Sequence, residues 1–135
     1  MSDNKNLSVF KMGEPLPEMF SKYFIGNAHL NMLTTEGVSI GNVTFEPGCR
    51  NNWHIHHKGG QILLVTGGRG YYQVWGEEAR ELKAGDVVNI PAEVKHWHGA
   101  AADSCFCHLA IEIPAEGASN EWLEAVSDEI YCKLK

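Results

Sequence analysis

Residues 48–68 read GCRNNWHIHHKGGQILLVTGG. The stretch has no helical period. It has glycine pairs at 59–60 and 67–68, with a short apolar run, residues 61–65, between them. Short runs rich in branched residues and bounded by glycine clusters read as strands. On a strand, His54 and His56 lie two apart and face the same side. Gln61 opens the next strand. The segment therefore predicts two successive strands that carry a polar, metal-ligating set of side chains on one face.

Outward from this stretch the same punctuation continues. Turn signals fall at Glu46-Pro47-Gly48, Gly76-Glu77 and Ala84-Gly85-Asp86. Between them lie short runs at 71–75, 86–90, 94–98 and 104–113, rich in Val, Ile, Tyr and Trp. Many short strands at 8–12-residue spacing predict an all-β antiparallel sandwich or barrel. Upstream, residues 23–34 and 38–45 alternate loosely and supply outer strands. Residues 1–20, with Pro15 and Pro17, predict an extended arm. In the tail, residues 119–135, Trp122, Leu123, Val126, Ile130 and Tyr131 recur at a 3–4 spacing. That spacing predicts one short C-terminal helix, capped by Ser119 or Asn120.

The chain has 135 residues, 44% apolar and 21% charged, which fits one soluble domain with one core. A net charge of −6 and the lack of a basic, aromatic-interleaved run argue against a nucleic-acid partner. No apolar run is long enough to span a bilayer, and residues 1–10 are too polar for a signal peptide. A cytoplasmic location is the expectation. Cys49, Cys105, Cys107 and Cys132 match neither a CxxC site nor a disulfide framework, so buried, reduced thiols are expected.

Six of the seven histidines lie between residues 54 and 108. His96 and His98 share one strand face, and His108 shares a face with Phe106 and Ala110 on a later strand. A barrel interior cannot hold this many unpaired imidazoles without a large desolvation cost. A metal resolves the problem, because the neutral imidazole nitrogen is the commonest protein ligand for metals. Three histidines and an amide oxygen suit Mn, Fe, Ni, Co or Zn and leave positions open for water or substrate. His57 beside Lys58 is expected to face outward, and His29 is assigned no role. Trp53 and Trp97 flank histidines and belong to the opposite face, between sheets or at a subunit contact. Leu63, Val65, Phe106 and Ala110 are expected to give the pocket an apolar wall.

Residues 48–68 resemble the first motif of the cupin family, with Gly48, His54, His56, Gln61 and Gly68 on its positions. Residues 85–96, GDVVNIPAEVKH, resemble the second, with Gly85, Pro91 and His96 on its positions. Glu93 stands where that motif has its second glycine, and Ala100 where it ends in asparagine. The resemblance implies a single-domain cupin β-barrel (double-stranded β-helix, jelly roll) over 38–113. It is preceded by an arm and outer strand over 1–37 and followed by the helical tail over 114–135. It also implies one divalent ion, manganese favoured, on His54, His56, Gln61 and His96. Cupins generally have glutamate at the position of Gln61. The substitution leaves the ligand set without protein charge and makes the ion a harder Lewis acid.

A narrower resemblance covers TFEPGCRNNWHIH, GGQILLVTGGRG, GDVVNIPAEVKHWHGAA, HLAIEI and WLEAVSDEIY. These are similar to small bacterial cupins that include the hydroxynitrile lyases and cupins associated with carboxymuconolactone decarboxylases. That group also uses a glutamine ligand, although the spacer from His56 to Gln61 is one residue longer here. Its non-ligand active-site histidines match His98 and His108. The implied reaction is cleavage or formation of a C–C bond in a small hydroxylated substrate such as a cyanohydrin, with these histidines in acid–base roles and a rate responsive between about pH 5 and 8. The alternatives are a metal-dependent dioxygenase or isomerase, which the missing carboxylate disfavours, and a non-catalytic small-molecule-binding or accessory cupin. Alternating apolar faces on residues 104–113, together with the resemblance, imply a homodimer or homotetramer.

Overall fold

Residues 54–57, 61–68 and 87–90 alternate in burial at a period of two, the pattern a half-buried strand imposes. The computed structural model describes residues 7–134. In chain order its elements are β1 (Glu14–Pro15), α1 (Glu18–Ser21), β2 (Phe24–Ile25), β3 (Ala28–Thr34), β4 (Ile40–Phe45), β5 (Arg50–Asn51), β6 (His54–His57), β7 (Gln61–Val74), β8 (Arg80–Lys83), β9 (Val87–Ile90), β10 (His96–Ala100), β11 (Phe106–Glu112), β12 (Ser119–Trp122) and α2 (Asp128–Tyr131). The strands pair antiparallel in the order β1-β3-β4-β11-β7-β10-β5-β2, with β8 and β9 also on β7 and β6 bridging β10 and β12. The result is the curled all-β barrel expected from the turn spacing. None of its helices is long and apolar enough to cross a membrane.

β7 closes the barrel. Residues 61–64 pair with β9, and residues 69–72 pair with β8. The same strand pairs with β11 along its first half and with β10 along its second. Gly67 and Gly68 were expected to make a turn. They lie instead in mid-strand, where Thr66 is skipped in the pairing with β11. Gly68 has φ 76°, and a Cβ there would sit 1.9 Å from the Cys105 carbonyl oxygen. A bulge with glycine lets one strand bend from one layer into the other.

Side chains from both layers meet inside. Phe45, Leu63, Val65, Leu82, Val88, Ile90, Ala100 and Phe106 form the central apolar cluster. A second cluster of Trp53, Tyr71, Trp97, Ala101, Val126 and Tyr131 lies on the outer face of the β10 layer. The tail seals it: buried Arg50 donates to the Val126 carbonyl at 3.0 Å and to Asp128 at 2.7 Å, and its guanidinium stacks on Tyr131. Trp53 and Trp97 thus pack away from the barrel interior, as their sequence parity required.

The tail corrects the sequence reading. Ser119 and Asn120 cap no helix, because Ser119–Trp122 pairs with β6 as β12. The helix is one turn, Asp128–Tyr131, with Ser127 Oγ accepting the Ile130 N–H at 3.2 Å. The helical spacing misleads because its apolar residues are buried on different sides. Trp122 turns toward the cavity, while Val126 and Tyr131 cover the second cluster. The open edge of β6 gains a full ladder from β12, which outweighs weak local propensity. The arm also holds a short helix, α1, and two short strands. Its first six residues lie outside the described set. Cys49, Cys105 and Cys107 are buried as expected, and burial pushes the Cys49 thiol up to about 12. Cys132 is exposed, contrary to expectation.

Glu93, in the motif's glycine position, keeps the glycine-like backbone, with φ 69°. Its carboxylate binds back, Oε1 to His57 Nδ1 at 2.6 Å and Oε2 to the Lys58 N–H at 2.8 Å. His57 Nε2 also meets Glu121 at 2.7 Å. The bonds to Glu121 and Glu93 raise His57 above its ordinary 6.5, and the bond to His57 lowers Glu93 below its ordinary 4.5. The His57 contribution is complete below pH 6.5 and fades as pH rises through its raised value. The Glu93 contribution is complete above 4.5 and fades as pH falls through its lowered value. The clamp is therefore strongest between these values. Glu93→Ala loses the clamp and keeps the left-handed strain, whereas Glu93→Gly loses the clamp and relieves that strain. In thermal melts at pH 5.5, Glu93→Ala should unfold about 4 °C below Glu93→Gly; equal midpoints would show that the backbone there is unstrained.

Candidate metal centre

Strand register assembles the centre. His54 and His56 are the two buried positions of β6, whose side chains alternate buried and half-buried. His96 opens β10 and stands directly across from His54. Paired residues on antiparallel strands project to the same side. Ring centroids of His54 and His96 lie 4.2 Å apart, those of His54 and His56 5.1 Å, and those of His56 and His96 5.2 Å. One ring nitrogen from each lies within 4.8 Å of the others. Gln61 enters the same cavity as the first residue of β7.

The hydrogen bonds fix which nitrogen is offered. His54 Nδ1 donates to the Asn52 carbonyl at 2.8 Å, His96 Nδ1 to the Val94 carbonyl at 2.9 Å, and His56 Nδ1 to Asn120 Oδ1 at 2.7 Å. Each Nε2 is left as a lone pair. Gln61 Nε2 donates to Glu112 Oε2, which leaves the amide oxygen as the acceptor. His56 Nε2, His96 Nε2 and Gln61 Oε1 are buried and have no hydrogen-bond partner. Buried polar atoms are nearly always satisfied, so a group of orphaned lone pairs fits a cation. Outer hydrogen bonds that hold the far nitrogen of each imidazole are the usual support of metal-ligating histidines. Burial, and then the neighbouring His96, holds His54 well below its ordinary range, and burial pushes His96 down to about 4. Both are neutral at physiological pH, the form in which imidazole ligates.

His98 and His108 line the same cavity beyond this group. They meet edge to face at 5.2 Å. Phe45 stacks on His98 at 5.8 Å and meets His108 edge-on at 5.5 Å. Asn51 Oδ1 accepts the His98 backbone N–H at 3.0 Å, and Asn51 Nδ2 lies 3.3 Å from His98 Nε2. Both ring nitrogens of His108 are buried without a partner. Burial, and then His108, holds His98 well below its ordinary range; burial alone pushes His108 down to about 3. Both rings are neutral proton acceptors across the physiological range. The expected rate response between pH 5 and 8 therefore has no source in His108.

The cavity holds about 230 Å³ and is also lined by the apolar Leu16, Phe20, Phe24, Leu30 and Met32, of which the exposed Phe20 and Met32 mark its mouth. Ala110 lines it, whereas Leu63, Val65 and Phe106 belong to the core behind it. His57 lies outside, and His29 pairs with Glu46 at 2.8 Å. The sequence reading missed Asn51, Asn120 and the apolar mouth. Asn120 was expected at a helix cap, and the arm that supplies Leu16 and Phe20 has little periodicity to read. The contact of Glu112 with Gln61 needed the register of β11 on β7.

With this barrel and its histidine face in view, the chain belongs to the cupin domain family, whose model matches residues 41–111. Within that family it is 46% identical over 94 residues to the (R)-mandelonitrile lyase of Granulicella tundricola, covering 70% of this chain and 71% of that protein. A cupin-like protein from Thermotoga maritima superposes with a TM-score of 0.85 at 43% identity, covering 93% of this chain and 96% of the other. A cupin 2 conserved barrel domain protein from Rhodopseudomonas palustris shares the fold alone, with a TM-score of 0.66 at 17% identity over 90% of this chain and 81% of that one.

Protein purified without a polyhistidine tag should contain about one equivalent of a first-row divalent ion by mass spectrometry, lost in His54→Ala. Asn120→Ala, which removes the partner of His56, should keep the fold and weaken the ion's binding roughly 10–100-fold. Unchanged affinity in Asn120→Ala would show that His56 is held by other means.

Proposed function

We propose that this protein is a metal-dependent lyase that cleaves, or in reverse forms, the C–C bond of a small hydroxynitrile. The observation that carries the reading is the pair of buried, neutral imidazoles, His98 and His108, in the wall of the cavity that His54 and His56 of the histidine cluster also line. A binding module has no need of two proton acceptors beside a ligand set. The 46% identity to a mandelonitrile lyase supports the same reading.

A divalent ion on His54, His56, Gln61 and His96, with manganese our first choice, supplies Lewis-acid stabilisation of negative charge on an oxygen. The remaining chemistry falls to the chain. One imidazole of the His98–His108 pair takes the hydroxyl proton. As the C–CN bond breaks, its electron pair leaves with cyanide and the carbon–oxygen bond becomes a carbonyl. The protonated imidazole then returns its proton to cyanide, so the products are an aldehyde or ketone and hydrogen cyanide. Asn51 fixes the His98 backbone and ring edge. Phe45 and Ala110 exclude water from the reacting carbon, and the apolar mouth receives the substrate's side group.

Metal-loaded protein should release benzaldehyde from (R)-mandelonitrile, followed by its absorbance, without consuming oxygen. His98→Ala and His108→Ala should retain the ion and each lose roughly 100- to 10,000-fold in kcat. Because burial holds His108 near 3, kcat/KM should stay flat as pH falls from 8 to about 5. Full turnover in the metal-loaded double variant would sink the acid–base assignment, and oxygen uptake would favour a dioxygenase.

A further inference from the structure

The cavity contains one carboxylate, that of Glu112, and no lysine or arginine among its described lining residues. Glu112 stands directly across from Gln61 in the β11–β7 ladder, and its Oε2 accepts the Gln61 Nε2–H. That bond does two things at once. It consumes the donor half of the amide, so that Oε1, which is buried and has no partner, is the atom turned away from Glu112. It also places a negative charge one side chain behind a ligand set that itself carries none.

We propose that Glu112 is a positioning and specificity-determining residue. It orients Gln61 as an oxygen ligand, and its charge makes the site select neutral hydroxyl compounds and reject carboxylates. The inference rests on the metal-site reading above. A divalent ion among four neutral donors would attract any anion, α-hydroxy acids included, since these offer a hydroxyl and a carboxylate together. The Glu112 carboxylate cancels one of the two positive charges. It also meets an incoming carboxylate in a cavity whose walls are otherwise apolar or uncharged, where like charges repel more strongly than in water. No cationic side chain is present to offset this repulsion. A nitrile carries no charge and suffers none of it.

The test uses the full chain, stripped of metal with a chelator and titrated with Mn(II) in a calorimeter, for wild type, Glu112→Gln and Glu112→Ala. Glu112→Gln is isosteric and still offers an acceptor to Gln61, so it removes mainly the charge. Glu112→Ala removes both. Mn(II) affinity should fall in both variants, by roughly 10–100-fold in Glu112→Ala and by less in Glu112→Gln. The same Mn(II)-saturated proteins are then titrated with mandelate, the anionic counterpart of mandelonitrile. Mandelate should bind Glu112→Gln roughly tenfold or more tightly than wild type, a change that a merely structural role for Glu112 would not produce. Wild type that binds Mn(II), with both variants matching it in Mn(II) and mandelate affinity, would overturn the role of Glu112 and leave the metal site standing. Wild type that takes up no Mn(II) would overturn the metal site and this inference together.

Discussion

The centre depends on the register of β6 between its two neighbours. One neighbour, β10, sets His96 opposite His54. The other, β12, sets Asn120 opposite His56 and Trp122 opposite His54. The first pairing brings the candidate ligands together, and the second supplies a hydrogen-bond acceptor and an apolar wall. A slip of one residue in either ladder would turn every side chain of that strand to the other face. His54 and His56 would then replace Trp53 and Ile55 outside, and the cluster would be lost. The tryptophans enforce the register from behind. Trp53 and Trp97 are buried in the outer apolar cluster, and neither fits the cavity face without opening that cluster.

Desolvation makes this arrangement chemically useful and structurally costly. Five imidazoles are buried along one interior face, and four of them are pushed below their ordinary titration range. Buried nitrogens without a hydrogen-bond partner, such as those of His108, cost free energy. The two apolar clusters flanking the β10 layer, together with the Arg50 lock on the tail, supply the burial that offsets this cost. The same dry environment keeps the imidazoles neutral, so each offers a lone pair without first losing a proton.

Much of this was legible in the sequence because a strand's parity converts spacing directly into facing. His54 with His56 and His96 with His98 needed only the count of residues between them, and Trp53 and Trp97 only their places next to a histidine. The turn glycines marked the β-barrel. Parity, however, says nothing of which strand lies beside which. Asn120 could not be found beside His56, nor Glu112 beside Gln61, until the pairings were known. Gly67-Gly68 and residues 119–122 were misread for a related reason. Two glycines look alike at a turn and at a bulge, and a 3–4 spacing looks alike on a helix and on a strand whose side chains are buried on both sides. In each case the deciding interaction is long-range in sequence.

The exchange of a ligating glutamate for Gln61 gains a physical sense once Glu112 is placed opposite it. The family pattern of three histidines and a glutamate gives the ion one negative charge in direct contact. Here a carboxylate is retained, but one hydrogen bond removed, on the neighbouring strand. The field at the ion is weaker when the charge is farther away. An ion with weaker neutralisation at contact polarises a neutral oxygen more strongly, and the displaced carboxylate still opposes anions in the cavity. Moving one charge across a β-ladder thus separates two properties, Lewis acidity and anion affinity, that a directly bound carboxylate ties together.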